Sequence, residues 1–309
     1  MNPFISIVIP VYGGELTIVE LVNQLKAELK KITEHYEIIL IDDCGPDKSW
    51  EKIKLLCDSD PKVIGIRLSK NFGQHFAITA GIDMARGNFL VVMDCDLQDD
   101  PKYIPLLYEK IKEGNDIVFT FKKKRKHSVF KNVSAYVYNV VFNYLIDNKN
   151  FKASSSVGAY SMINEKVIKA FRKYNDYQRH YLMVLRWLGF KSVYIEIEHK
   201  ERFAGKSSYN FTKLIKHGID GITSQSDKLL RIFVTIGLSI SIISFCSILI
   251  IIFLYFFKGL LYGWASTIIV LLFSTGMILT GIGILGIYLG KTFEQTKGRP
   301  KYLIDEKIN

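Results

Sequence analysis

Before residue 122, short apolar runs alternate with amphipathic stretches. Five runs predict strands: "SIVIPVY" (6–12), "EIILIDD" (37–43), "VIGIRLS" (63–69), "NFLVVMDCD" (88–96) and "DIVFTF" (116–121). Between them, Leu16, Val19, Val22, Leu25 and Leu29 recur at helical spacing and predict a helix over 15–32. A second helix is expected from a cap at Asp47 to about Cys57, a third over 74–86, and a fourth over 102–113 with Pro101 at its start. Strands alternating with helices predict an α/β domain built on a mainly parallel sheet. Such sheets bind ligands beyond the carboxyl ends of their strands. Three of those ends carry polar groups: Pro10-Val11-Tyr12, Asp42-Asp43 and Asp94-Cys95-Asp96.

The pattern changes after residue 231. Ile232 to Phe257 contains no charge, and neither does Gly259 to Gly290. Each run exceeds the ~20 apolar residues that cross a bilayer. As a helix, the first would measure ~39 Å at ~1.5 Å per residue. Soluble helices rarely run so far without a charge, so the expectation is a two-helix transmembrane hairpin. Lys228 and Arg231 precede it, Lys291, Lys297, Arg299 and Lys301 follow it, and the connection carries only Lys258. Both ends, and the domain before them, are therefore expected on the cytoplasmic side. "MNPFISIVIPVYGG" has no basic region ahead of its apolar run and does not read as a signal peptide. The expected organisation is a cytoplasmic domain over 1–210, an amphipathic juxtamembrane segment over 211–230, two membrane helices over 231–290 and a cytoplasmic tail over 291–309. Gly276, Gly281, Gly283 and Gly286 leave room for helix packing within one chain or in a homo-oligomer.

Charge narrows the partners. The net charge of +11 admits nucleic acid, but beside a membrane hairpin it reads more simply as attraction to anionic lipid. "KKKRK" (122–126) can be a solvated loop or a nuclear-localisation signal; next to a membrane, contact with phosphate headgroups is favoured. The aromatic-rich stretch 130–146 suits either the core or the membrane surface. Cys44, Cys57, Cys95 and Cys246 show no metal-ligand spacing and read as reduced thiols. The absence of GxGxxG after the first strand argues against a dinucleotide-binding domain, and the absence of GxxxxGK[ST] against a P-loop.

The sharpest chemical signal is "VVMDCDLQDDP" (91–101), an apolar strand running into Asp94, Asp96, Asp99 and Asp100. Carboxylates this close repel, so a positive partner is expected, and a divalent metal is the first candidate. A surface turn with capping carboxylates is the plain alternative.

"SIVIPVYGGE", "EIILIDDCGPDKSW", "GIRLSKNFGQHFAITAGIDMARGNFLVVMDCDLQDDP", "RFAGKSSYNFTKLIKHGIDGI" and "YLGKTFEQTKGRPKYLID" together resemble the family 2 glycosyltransferases. The likeness is greatest to the polyprenyl-phosphate branch, which includes dolichyl-phosphate mannose synthases and bactoprenol glucosyltransferases. It implies a GT-A-like, Rossmann-related nucleotide-sugar-binding domain. In it Asp94, Asp96 and Gln98 would hold Mg²⁺ or Mn²⁺ against the donor diphosphate. Pro10, Tyr12, Asp42, Asp43 and Asp94 would form the nucleotide-sugar pocket, with Asp43 reaching the base. Glu15 would be the acidic residue after the tyrosine, although Gly13-Gly14 stands where the family has Asn-Glu. Asn71, Gly73 and Gln74 fall in a family block or serve as a loop and cap. Arg202 opens a block like RxxGxSKY and would act in catalysis with Asp96, contacting phosphate; an ordinary surface arginine is the alternative. The lysine of that block is missing, with Lys206 adjacent. Arg125, Lys131, Arg202 and Lys206 would bind the acceptor phosphate. Ser156 and Ala159 stand where the bactoprenol branch carries acids.

The resemblance implies a metal-dependent inverting transfer of one sugar from a nucleotide diphosphate sugar to a polyprenyl phosphate, at the cytoplasmic face of the cell membrane. Two other readings stay open. One is a family 2 enzyme acting on a glycan or lipid hydroxyl; the other is a silent membrane adaptor that binds a nucleotide sugar.

Overall fold

A computed structural model describes residues 3–122, 157–177, 179–198, 228–258 and 263–309. The expectations placed on Arg125, Lys131, Ser156, Arg202, Lys206, the stretch 130–146 and the juxtamembrane residues 211–227 lie outside the described residues.

The first described unit runs from residue 3 to 198 and resumes at Arg299. Its centre is an eight-stranded sheet. In chain order the strands are β1 (Ile5–Val11), β2 (Tyr36–Asp42), β3 (Val63–Leu68), β4 (Phe89–Val92), β5 (Ile117–Lys122), β6 (Val157–Asn164), β7 (Ser192–Ile197) and β8 (Ile304–Ile308). They lie in the order β7-β5-β6-β4-β1-β2-β3-β8. β6 and β8 run against the rest, which share one direction. Every residue of β1 and β2 is buried, as expected of parallel strands covered on both faces.

Alternation along the strands feeds two cores. On one face Ile5, Ile7, Ile9, Ile38 and Leu40 meet α1 (Ile18–Leu29), α2 (Ser49–Ser59) and α4 (Ile104–Lys112). On the other, Val8, Ile39 and Ile41 meet α3 (Gln74–Met84), α5 (Glu165–Lys173) and α6 (Tyr181–Trp187). The apolar spacing of α1 delivers Ile18, Leu21, Val22, Leu25 and Leu29 to the first core, while Leu16 and Val19 stay exposed.

Three details differ from the sequence expectations. The fourth strand ends at Val92, so Asp94 and Asp96 stand on the loop beyond it. Side chains have claimed that loop's backbone: the Asp99 carboxylate accepts the Asp94 N–H at 3.2 Å, and the Thr17 hydroxyl donates to the Cys95 carbonyl at 2.6 Å. The first helix starts at Ile18, because the Thr17 and Ile18 N–H groups turn back onto the Gly14 carbonyl. Finally, Ile304–Ile308, read as part of a tail, is the edge strand β8, antiparallel to β3.

The second unit contains α7 (Lys228–Lys258) and α8 (Trp264–Thr296), of 31 and 33 residues. The Phe233 ring lies against Gly281, where a Cβ would come within 2.7 Å of it. Most described apolar side chains of both helices are exposed. Among the described residues, Phe273–Thr296 is long and apolar enough to cross a membrane, and Leu230–Ile240 is a shorter apolar stretch.

Candidate active site

The connectivity places the site. The chain steps outward from β1 to β2 and β3, then returns to the other side of β1 as β4. The crevice between the ends of β1 and β4 is thus a topological switch point, where open α/β sheets take ligands. Tyr12 follows β1, more than half exposed, and the Asp94–Gln98 loop follows β4.

The two loops are bonded to each other. Thr17 bridges the Gly14 and Cys95 carbonyls through its hydroxyl. Cys95 turns inward, and burial pushes its thiol up to about 12. Asp94 and Asp96, on either side of it, stay half-buried. Gly14 is required by this closeness: a Cβ there would meet Val11 Cγ1 at 3.0 Å and Cys95 Sγ at 3.4 Å. Glycine at 14, in place of the family's glutamate, therefore follows from packing. Glu15 keeps a structural part. Its N–H donates to Asp47, and its carboxylate accepts the Lys48 N–H at 3.2 Å. Asp47 also takes the Ser49 hydroxyl at 2.7 Å, and Ser49 in turn accepts the Gly14 N–H. Asp47, expected as a simple helix cap, thus ties the first two strand-end loops together.

The metal candidates are held differently. Asp94 Oδ1 accepts the Gln74 amide at 2.6 Å. Asp96 Oδ1 accepts the Gln98 N–H at 3.1 Å, and Leu97 between them has φ +61°. A left-handed leucine costs about 1–2 kcal/mol, and such strain concentrates at ligand sites. Behind the loop the Tyr160 hydroxyl donates to the Asp100 carbonyl at 3.0 Å. Among the described residues no three His, Cys, Asp or Glu side chains converge into a closed metal cage. The two carboxylates and the Gln98 amide on this loop are hard oxygen donors of an open kind. That suits Mg²⁺ or Mn²⁺ shared with substrate phosphates, since such ions usually take one or two protein carboxylates and keep other positions for phosphate and water.

Asp42 and Asp43 are both buried at the end of β2. The Asp43 carboxylate accepts the Phe72 and Gly73 N–H groups at 2.8 and 2.9 Å. Gly73 has φ +99°, a conformation that side chains resist, and it turns both amides onto the acid. Burial raises the Asp43 pKa, and these two N–H groups oppose the rise. Asp42 lies 3.5 Å from Arg67 Nε. Burial lifts its pKa to about 6, against the pull of the Gly45 N–H and Arg67. A carboxylate raised from 3.8 binds its proton more tightly folded than unfolded. Its stabilising contribution is present below pH 4 and is lost as pH rises through about 6. Asp42→Asn should therefore flatten the stability profile between pH 4 and 6. At pH 7 it should gain on the order of 2 kcal/mol relative to wild type, while losing nucleotide affinity. Thermal melts across pH, with calorimetric binding, check this; a profile as steep as wild type would refute it.

Pro10, Tyr12, Glu15, Asp42, Asp43, Asp94, Asp96 and Gln98 thus gather at the strand ends. Thr17 and Ser49 are additions that sequence spacing did not single out; Gln74 was noted only within its block, and Asp99, counted in the acidic cluster, holds the Asp94 N–H.

The sequence pattern described as "Glycosyl transferase family 2" matches residues 6–172. The chain belongs to glycosyltransferase family 2. This glycosyltransferase is 34% identical over 304 residues to the uncharacterised glycosyltransferase YkcC of Bacillus subtilis, covering 97% of this chain and 93% of that one. It is 30% identical over 312 residues to the undecaprenyl-phosphate 4-deoxy-4-formamido-L-arabinose transferase of Pectobacterium atrosepticum, covering 99% and 94%. Its fold is similar to that of glucosyl-3-phosphoglycerate synthase from Mycobacterium tuberculosis, solved with Mn²⁺, UDP and glucosyl-3-phosphoglycerate. The TM-score is 0.51 at 14% identity, over 74% of this chain and 79% of that one. That likeness supports the GT-A-like α/β fold.

Proposed function

We propose that this glycosyltransferase moves a single sugar, with inversion, from a nucleotide diphosphate sugar to a polyprenyl phosphate at the cytoplasmic face of the cell membrane. The observation that carries the reading is the crevice itself. Two half-buried carboxylates follow β4 and the exposed Tyr12 follows its neighbour β1 at the switch point, with the buried Asp42–Asp43 pair at the end of β2 on the other side of β1. An acceptor of this class is supported by the full-length likeness to an undecaprenyl-phosphate transferase.

Asp42 and Asp43 are rigid acceptors suited to a nucleoside's N–H and hydroxyl groups, and Tyr12 offers an exposed ring for the base. Asp94, Asp96 and Gln98 would hold Mg²⁺ or Mn²⁺, which when bound offsets the charge of the departing diphosphate. Gln74 orients Asp94, and the buried Asp99 fixes the backbone that presents it. A lipid phosphate oxygen attacks the anomeric carbon from the face opposite the leaving group. One C–O bond forms as the bond to the nucleoside diphosphate breaks. Arg202, Arg125, Lys131 and Lys206 are the proposed partners of the acceptor phosphate, with guanidinium forks suited to it.

The second unit would hold the enzyme at its lipid. At ~1.5 Å per residue, helices of 31 and 33 residues exceed a ~30 Å hydrocarbon core. The proposed hairpin places both flanks inside. A cysteine probe at Tyr262 should react with an impermeant maleimide from outside, and one at Lys297 should not; the reverse would overturn the orientation.

The decisive experiment is a donor screen with purified protein, Mn²⁺ and polyprenyl phosphate, reading products by mass. One nucleotide sugar should yield the lipid phosphate plus a single sugar residue. Products only on hydroxyl acceptors, or none with any donor, would refute the proposal.

A further inference from the structure

The chain from Arg299 belongs to the catalytic unit and is bonded there from Lys301 to Asn309. Lys301 Nζ donates to Asn175 Oδ1 at 3.2 Å, and the Tyr302 hydroxyl to Asp83 at 3.0 Å. The Leu303 carbonyl accepts the Ser69 N–H at 2.9 Å. Glu306 takes the Trp50 indole N–H at 3.0 Å and pairs with Lys54 at 2.8 Å. The Asn309 amide reaches the Cys57 and Val63 carbonyls.

Two of them lead to the nucleotide pocket. Glu306 is the register partner of Arg67 on β3. Side chains so paired across antiparallel strands stand about 4.5–5.5 Å apart at Cβ. Arg67 thus has Glu306 on one side and Asp42, the end of β2, on the other. The second route is backbone. Ser69 opens the loop from β3 to α3, and three and four residues later the same loop supplies the two N–H groups, of Phe72 and Gly73, that hold Asp43. The Leu303 carbonyl pins the start of that loop, and Gly73, the residue before α3, ends it.

We propose that the C-terminal strand is a positioning element of the nucleotide pocket: Glu306 seats Arg67 against Asp42, and Leu303 fixes the loop whose amides hold Asp43. Glu306 and Leu303 act through other residues and touch no substrate themselves. The inference rests on the reading of Asp42 and Asp43 as nucleotide ligands. It predicts an effect confined to the donor. The strand is joined to α8 by residues 297–303, so the chain leaving the second apolar helix is the one that braces the pocket.

The test compares wild type with a chain ending at Tyr302 and with full-length Glu306→Gln. Amide exchange is read at Phe72 and Gly73. Affinity is measured calorimetrically with a panel of UDP, GDP, CDP and dTDP plus Mn²⁺, and KM and kcat are measured for donor and polyprenyl phosphate. The shortened chain should exchange both amides at least about tenfold faster and bind the preferred diphosphate about tenfold more weakly. KM for the lipid should stay within about twofold. Glu306→Gln keeps the acceptor for Trp50 but removes the charge beside Arg67; it should raise the donor KM about threefold at unchanged kcat. If the shortened chain folds with wild-type exchange and affinity, the proposal fails. If the shortened chain does not fold, a wild-type donor KM in Glu306→Gln overturns it. A wild-type protein that binds no diphosphate would instead remove the nucleotide reading and the pocket role with it, while the exchange rates still report whether the strand braces the loop.

Discussion

Asp96→Asn should abolish sugar transfer while leaving the fold intact. The side chain is half-buried and accepts the Gln98 N–H, which asparagine's carbonyl can still do. The loop's other fixings do not use its charge: Asp99 holds the Asp94 N–H, Thr17 holds the Cys95 carbonyl, and Tyr160 holds the Asp100 carbonyl. What the substitution removes is one anionic oxygen from the proposed metal-ligand set. With the metal weakened, charge on the leaving diphosphate goes uncompensated, and losses on the order of a thousandfold or more are expected. Asp94→Asn should be nearly as severe. Asp99→Asn should be milder in rate but visible in stability, because Asp99 is buried and positions the loop. Initial rates at fixed Mg²⁺ or Mn²⁺, beside thermal melts, separate these cases. Near wild-type turnover by Asp96→Asn at ordinary metal concentration would sink the assignment.

The second large effect concerns the acceptor. Polyprenyl phosphate should be a substrate and the matching free polyprenol should be slower by at least about a hundredfold. General-base assistance is typically worth 10²–10⁴, and a hydroxyl needs it because its pKa is high. A phosphate monoester has a second pKa of ~6 and at neutral pH is already largely a dianion. It attacks without surrendering a proton, provided cations hold it in place. Ala159, half-buried on β6, offers no proton acceptor where the bactoprenol branch has an acid. Ser156→Ala should accordingly retain most activity, and Arg202→Ala should lose most of it through weaker phosphate binding. Transfer rates for both acceptors at equal concentration in nanodiscs decide the point. Comparable rates with the alcohol, or inactivation by Ser156→Ala alone, would mean that the reaction uses a base among other residues.

Much of the site was legible because its residues sit directly beyond apolar strands. Asp42-Asp43 and Asp94-Cys95-Asp96 each follow a run whose only plausible place is inside a sheet, and strand ends are where such sheets work. The strands of the sheet's centre could be read for the same reason: burial on both faces demands uninterrupted apolar residues. What was not legible depends on partners far away in sequence. Nothing near Thr17 announces that its hydroxyl will meet Cys95, 78 residues later. Gln74 looks like a cap residue until Asp94 is placed beside it. Asp99 reads as one more metal candidate, yet it is 2% exposed and spent on a backbone N–H. The early end of β4 follows from these same bonds. β8 is short and charged, as edge strands often are, and its alternation is too brief to separate from a tail.

That strand also sets the order in which the molecule can be assembled. Glu306 meets Trp50 across 256 positions of the chain. During synthesis β3 and its neighbours emerge early, but their edge partner emerges only after both long apolar helices. Until β8 arrives, β3 presents unpaired N–H and C=O groups along one edge, the kind of edge that invites pairing with other chains. Loop closure over so long an interval adds little beyond that over a shorter one, since its cost grows only with the logarithm of length. The delay is therefore one of timing more than of free energy. Both long apolar helices precede β8 in the chain, so the catalytic sheet is completed only after the ribosome has delivered them, and a nascent chain stalled before residue 304 would carry the strand-end acids on a sheet that lacks its edge and the proposed brace.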